Sequence, residues 1–213
     1  MTTDIQNYLS DFDQLQTNDW FAKNRKTALN LFKETGFPNT RQENWKYTDV
    51  RPIARKSFSN INDQKTTVSP DNVNAIRFSD LDCIELVFIN GIYSAEHSHI
   101  NELPANVVVE NLADVLVTDN KLLEKHLSQY ADNKISPFTA LNTAFIQHGT
   151  YINVPDNVVI ERPINLLFLS KENPSPFATH PRNLIIMGNH AQATIIESYI
   201  GLDEANYFTN AVT

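Results

Sequence analysis

His97-Ser98-His99 is the arrangement in this chain closest to a metal site. Alternate residues of a strand project to one side, so an extended segment would place both imidazoles together. Zinc sites take three or four protein ligands, and only Glu96 and Glu102 lie nearby, so a solvated loop is the expected reading. Cys83 is the single cysteine. It begins an apolar run, Cys-Ile-Glu-Leu-Val-Phe-Ile, and reads as a buried, inert thiol rather than a nucleophile or cluster ligand. Glu85 alternates with it, but one acid beside one thiol is not a catalytic set. His148 follows an amphipathic stretch, where an imidazolium would favour the end of a helix dipole. His180 precedes Pro181 and reads as an exposed loop residue. Glu161 and Glu197 invite comparison with the acid pairs of glycoside-cleaving enzymes, yet sequence separation says nothing about their distance. Gly188-Asn189-His190 is a corner, since none of the 5 glycines forms a phosphate-cradling spacing. The expectation is therefore no catalytic residue, no metal site and no bound cofactor.

The elements that carry these residues change character along the chain. Up to about residue 59 the pattern is helical. Asn18-Asp19 is placed to cap a helix with Phe21, Ala28, Leu31 and Phe32 on its apolar face. Gly36 then suits a left-handed helix end, and Pro38 prevents resumption. Thr48-Asp49 starts a short second helix running through Ile53 and Phe58. Ser59 to Pro70 is polar and reads as a loop. Cys83–Ile89, Asn90-Gly91 and Ile92-Tyr93 form a hairpin signal, and Val107–Val109 predicts a third strand. Leu112–Val117 and Asn120–Tyr130 predict helices, the latter with Leu123, Leu127 and Tyr130 on one stripe. Ser136 caps a third, which has Pro137 at its first position, Phe138, Leu141, Phe145 and His148 on one face, and Gly149 as its stop.

From Thr150 onward the pattern is β: Tyr151–Val154, Val158–Ile160, Ile164–Leu169, Asn183–Met187, Ala193–Ile200 and Phe208 to the end. Turn residues recur every 20 to 30 residues, which suits a solenoid in which each coil buries its inner face by stacking on the next. An antiparallel sandwich gives a similar pattern. The fold class expected is mixed, mainly β: an N-terminal helical or α+β region over 1–149, then the first coils of a right-handed parallel β-helix over 150–213. The last strand stops without a cap, so the chain is expected to be a truncated fragment. Its open edge should bare Ile195, Tyr199 and Phe208 and pair with a second copy.

Composition narrows the partners. The 213 residues are 41% hydrophobic, and 17 Lys and Arg against 25 Asp and Glu give a net charge of -8. That argues against nucleic acid or an anionic membrane as main partner, since both select a basic footprint. One cysteine permits no intrachain disulfide. The polar start, Met1 to Gln6, is neither signal peptide nor anchor, so a cytoplasmic protein is expected.

One segment carries a resemblance. Gly36, Pro38, Arg41, Glu43, Asn44, Trp45, Lys46, Tyr47 and Thr48, read with Gln42, resemble a signature of the SufB/SufD family of iron-sulfur cluster assembly scaffold proteins, on its SufD side. Trp45, read on its own, pins a loop onto the domain. Leu141–Phe145, His148–Pro155, Glu161–Ile164, Pro181–Asn183 and Ala193–Glu197 are similar to the entry into that family's β-helix. The resemblance implies a non-enzymatic scaffold acting with SufB and the SufC ATPase. It also implies that the SufC-docking domain and the cluster-building residues lie beyond Thr213, so no ligand is carried over. The alternative is a β-helix carbohydrate-active enzyme or binding module.

Overall fold

A computed structural model describes residues 5–15, 20–61, 66–118, 120–204 and 206–213. Helix α1 (Gln6–Gln14) is followed by α2 (Ala22–Thr35). Phe21, Arg25, Ala28, Leu29 and Phe32 recur at intervals of three and four residues and are all buried, which gives α2 one inward stripe. Leu31 sits at the stripe's edge, half-buried. Gly36 ends the helix at φ +62 and ψ -168, a region open only to glycine, and its N–H bonds Phe32 O at 2.8 Å. The proposed cap Asn18-Asp19 lies outside the described residues. A 3₁₀ turn (Glu43–Trp45) and α3 (Arg51–Ala54) follow, and Phe58 lies beyond α3.

The polar stretch after Phe58 holds a two-residue strand, β1 (Ser59–Asn60), and ends where Ser69 caps α4 (Pro70–Ile76). The Asn90-Gly91 hairpin is present as β2 (Ile84–Ile89) and β3 (Ile92–Tyr93), paired antiparallel. Then come β4 (Val108–Asn111), α5 (Leu112–Leu116), α6 (Lys121–His126) and α7 (Pro137–Phe145). Helix α6 is shorter than its apolar spacing predicts. Leu123 and Leu127 are buried, but Tyr130 lies past the helix and is 73% exposed. Helix α7 stops at Phe145, before His148 and Gly149. Gly149 instead opens the next strand at φ +137, where a Cβ would fall 1.9 Å from Arg182 O. The remaining strands are β5 (Gly149–Val154), β6 (Ile164–Ser170), β7 (Phe177–Thr179), β8 (Arg182–Met187), β9 (Ile195–Gly201) and β10 (Tyr207–Thr209). Val158–Ile160 makes only a bridge, Val159 to Gln192.

The strands form three sheets, in the orders β1-β7-β10, β3-β2-β6-β9 and β4-β5-β8. All pairings are parallel except β3 on β2 and β4 on β5. The chain passes through the sheets in one order with β5, β6 and β7, then repeats it with β8, β9 and β10. Gly149 pairs with Arg182, Ile164 with Ile195, and Phe177 with Tyr207, so within β5 to β10 each parallel partner lies 30 to 33 residues further on.

The core divides into clusters. Between the sheets Ile84, Leu86, Phe88, Ile152, Val154, Ile164, Leu166 and Phe168 pack together. Phe88 stacks on Phe168 at 4.6 Å and Phe168 on Tyr199 at 4.8 Å, a ladder crossing three neighbouring strands. On the other face of the same sheet, α4 lays Val73 over Val87, Ile89, Leu167 and Leu169. β2 and β6 are thus buried on both faces, which is why they read as unbroken apolar runs. A separate cluster joins α1, α2, α3 and α7. Tyr8 meets Phe32, Phe37 and Phe145 edge-on at 5.8 to 6.3 Å. Phe208 belongs to this helical side, against Phe58 and Phe138, rather than with Ile195, which packs against the cluster between the sheets. No described helix is long and apolar enough to cross a membrane.

Candidate functional site

The loop holding Arg41 to Thr48 is built by short-range bonds. Asn39 Oδ1 accepts from Arg41 N at 3.0 Å, Gln42 O from Trp45 N at 2.9 Å, and Trp45 O from Thr48 N at 3.0 Å. Trp45 is half-buried, its ring 5.3 Å from Phe138, which in turn meets Phe37 and Phe208. It anchors the loop to α7. The other members, Arg41, Gln42, Glu43, Asn44, Lys46, Tyr47 and Thr48, are exposed. Tyr47 is 91% exposed and carries the Lys46 ammonium 5.5 Å above its ring. Just beyond, Arg51 clamps the Asp49 carboxylate at 2.6 and 2.8 Å, and those hydrogen bonds hold the acid down at about 2. Only Trp45 has a packing role; its neighbours face water.

The blocks around Asn142 and Arg182 have the opposite fate. The Arg182 guanidinium is buried and donates to Asn142 Oδ1 at 2.8 Å and Thr143 Oγ1 at 2.7 Å. Asn142 donates to Pro181 O and Asn210 O, Thr143 to Asn133 Oδ1, and Asn210 to Phe138 O. The cation is solvated by neutral oxygens, and burial lowers it to about 10, still charged at neutral pH. This network ties α7 to β8 and to the residue after β10. His180 lies beside it. The structure overturns the expectation of an exposed loop histidine: the ring is 6% exposed, stacks on Phe145 at 5.1 Å, and is pushed down to about 3 by burial. Its Nδ1 lies 3.2 Å from the Asn210 amide.

Of the remaining titratable candidates, Cys83, Glu85 and His99 line one cleft of about 340 Å³, together with Arg77, Arg162 and Asn165. Glu85 is buried and accepts from Arg77 Nε at 2.6 Å and Asn165 Nδ2 at 2.9 Å. His97 and His99 do not converge, because Ser94 to His97 is a turn. His97 is buried against Ser94 Oγ at 2.8 Å, while His99 lines the cleft, 3.3 Å from Arg77 Nη2. Burial pushes the Cys83 thiol up, with Glu85 and Asp82 adding to the rise, so it stays protonated at neutral pH. Glu161 is exposed before β6. Glu197 on β9 accepts from Tyr199 Oη at 2.7 Å and Thr213 Oγ1 at 2.8 Å. Gly188 and Asn189 tie their corner to Val154 O and Asp156 Oδ1. Among the described residues no three His, Cys, Asp or Glu side chains are placed to hold a metal ion. Sequence reasoning missed the Arg182 network, the cleft and the depth of His180. The i, i+1 pair Asn142-Thr143 on a mostly apolar helix was the one local signal of a buried polar tie.

The arrangement is that of a mixed α/β structural module: recurring parallel strands, a helical layer locked on by a buried arginine, and a motif loop facing solvent. The chain belongs to the SufBD family, for residues 5–166 match the SufBD protein N-terminal region. It is 28% identical over 197 residues to an iron-sulfur cluster assembly SufBD family protein of Synechocystis, covering 89% of this chain and 43% of that protein. It is 26% identical over 185 residues to the iron-sulfur cluster assembly protein SufD of Escherichia coli, covering 86% and 40%, and 24% identical over 208 residues to SufD of Bacillus subtilis, covering 92% and 45%. The chain is thus SufD-like and spans less than half the length of these relatives.

Proposed function

We propose that the chain is the N-terminal portion of a SufD-like scaffold subunit that serves iron-sulfur cluster assembly in the cytoplasm together with SufB and SufC, without catalysing a reaction itself. The observation that carries this reading is the family match from residue 5 to residue 166, spanning both the helical layer and the first long parallel strands. The polar residues of the motif blocks support a structural role, since Asn142, Thr143 and Arg182 are used up in internal ties. We further propose that β5 to β10 are the first coils of a right-handed parallel β-helix. The repeated order of visits and the 30 to 33 residue spacing support it, and parallel crossovers are right-handed as a rule. Strands β9 and β10 stand at the edges of their sheets, which supports self-association of the chain through that edge. The test is anaerobic co-expression of the gene product with SufB and SufC followed by size exclusion. Co-elution of the three supports the reading. Elution of the gene product alone contradicts it.

A further inference from the structure

Charge is sharply segregated along this acidic chain. Residues 22–56 carry nine Lys and Arg against three Asp and Glu, while the rest carries eight against twenty-two. These residues form α2, the motif loop and α3, all packed on one apolar cluster with α7. Eight of the nine cations are exposed, Arg25 being the exception. Arg51 is neutralised by Asp49, and Lys56 reaches the Asn206 side chain. Among the described residues Lys26, Lys33, Arg41, Lys46 and Arg55 make no ion pair. Unpaired cations concentrated on one layer of a net-negative protein create a local field opposite to that of the whole.

An aromatic anchor stands within this layer. Tyr47 is 91% exposed, a large loss of apolar burial for a ring held by an ordered turn. Its base is rigid, because Trp45 is wedged on Phe138 and the 3₁₀ turn sets the direction of the following residues. A tyrosine presented on a preorganised turn, with the Lys46 ammonium over its ring and further exposed cations in the same layer, has the make-up of an interface hot spot with a charged rim.

We propose that this layer docks an acidic protein surface, with Tyr47 entering an apolar recess and Arg41 and Lys46 facing carboxylates beside it. The pattern disfavours the other polyanions. Glu34, Glu43 and Asp49 are interspersed among the cations, and a long nucleic acid would run onto the acidic remainder. One exposed aromatic is neither a base-stacking platform nor the apolar stripe that a membrane surface takes. The inference goes beyond the cluster-assembly reading and does not depend on it.

The test is an NMR titration of the chain with four probes: a short peptide of alternating Glu and Leu, its Gln-for-Glu counterpart, a short DNA duplex, and phosphatidylcholine vesicles doped with phosphatidylserine. The acidic peptide should shift amides between residues 39 and 51 and release with added salt, and the Gln peptide should not bind. Arg41→Glu with Lys46→Glu should weaken the acidic peptide about tenfold, and Tyr47→Ala should weaken it comparably. All three positions are exposed, so unchanged thermal midpoints confirm that the variants fold. Binding that maps elsewhere, ignores charge reversal or is absent for every probe overturns the proposal. Tighter binding of DNA or vesicles overturns the assignment to a protein partner.

Discussion

Acidification should reveal the burial of His180. Its imidazole is 6% exposed, stacked on Phe145, and held neutral down to about 3, against 6.5 for the ring in an unfolded chain. Between those values the unfolded state binds one proton more than the folded state, so falling pH favours unfolding. The contribution is intact above the unfolded value and is lost as pH drops toward the folded one. The slope approaches ~1.4 kcal/mol per pH unit, so ~2 kcal/mol of stability should vanish between about pH 7.5 and about pH 5. His180→Phe keeps a ring against Phe145 and removes the titration. It also removes the acceptor near the Asn210 amide, at a cost of about 1 kcal/mol. The variant should therefore be less stable than wild type at neutral pH, and the two stability curves should cross near about pH 6. Urea unfolding across this range measures both curves, and every other titrating group cancels in their difference. Parallel curves, or a His180 titration seen by NMR near its ordinary value, would refute the burial argument.

Three further outcomes are expected. Trp45→Ala should cost ~2 to 3 kcal/mol through its lost contact with Phe138, while Tyr47→Ala stays within about 0.5 kcal/mol; equal losses in urea midpoints would contradict the split between anchor and exposed neighbour. Phe168→Ala, at the centre of the stack between Phe88 and Tyr199, should cost ~3 to 5 kcal/mol, and a loss under about 1 kcal/mol would show that the ladder does not hold the sheet. Cys83 should react with iodoacetamide more slowly than a free cysteine at neutral pH, because its thiol is raised; faster alkylation would reverse the sign assigned to its surroundings.

What the sequence disclosed depended on range. The Asn90-Gly91 hairpin, α7 behind Pro137 and the runs of β2 and β6 are local patterns, and each lies within a few residues of where it was expected. Phe177–Thr179 escaped because a three-residue strand within the four residues between Pro176 and Pro181 carries no period, and the strand exists only through its partners β1 and β10. His180 was misplaced for the same reason: next to Pro181 it reads as loop, but Phe145 and Asn210 close over it from distant positions. Arg182 meets Asn142 and Thr143 from about forty residues away, so no local window contains the network. His97-Ser98-His99 follows a turn at Ser94 to His97, in line with the expected loop, but the loop is not solvated throughout: His97 is buried against Ser94 Oγ, a contact the local spacing does not disclose.

The central claim is that this chain serves iron-sulfur cluster assembly as a scaffold. The most direct measurement is the activity of an iron-sulfur enzyme such as aconitase, and the recovery of that activity by added iron and sulfide, in cells that lack the gene. The account predicts lowered activity, recovery on chemical reconstitution of the extract, and full restoration when the intact gene is returned. Unchanged activity under iron limitation and oxidative stress, in cells with no other cluster-assembly system, would contradict it.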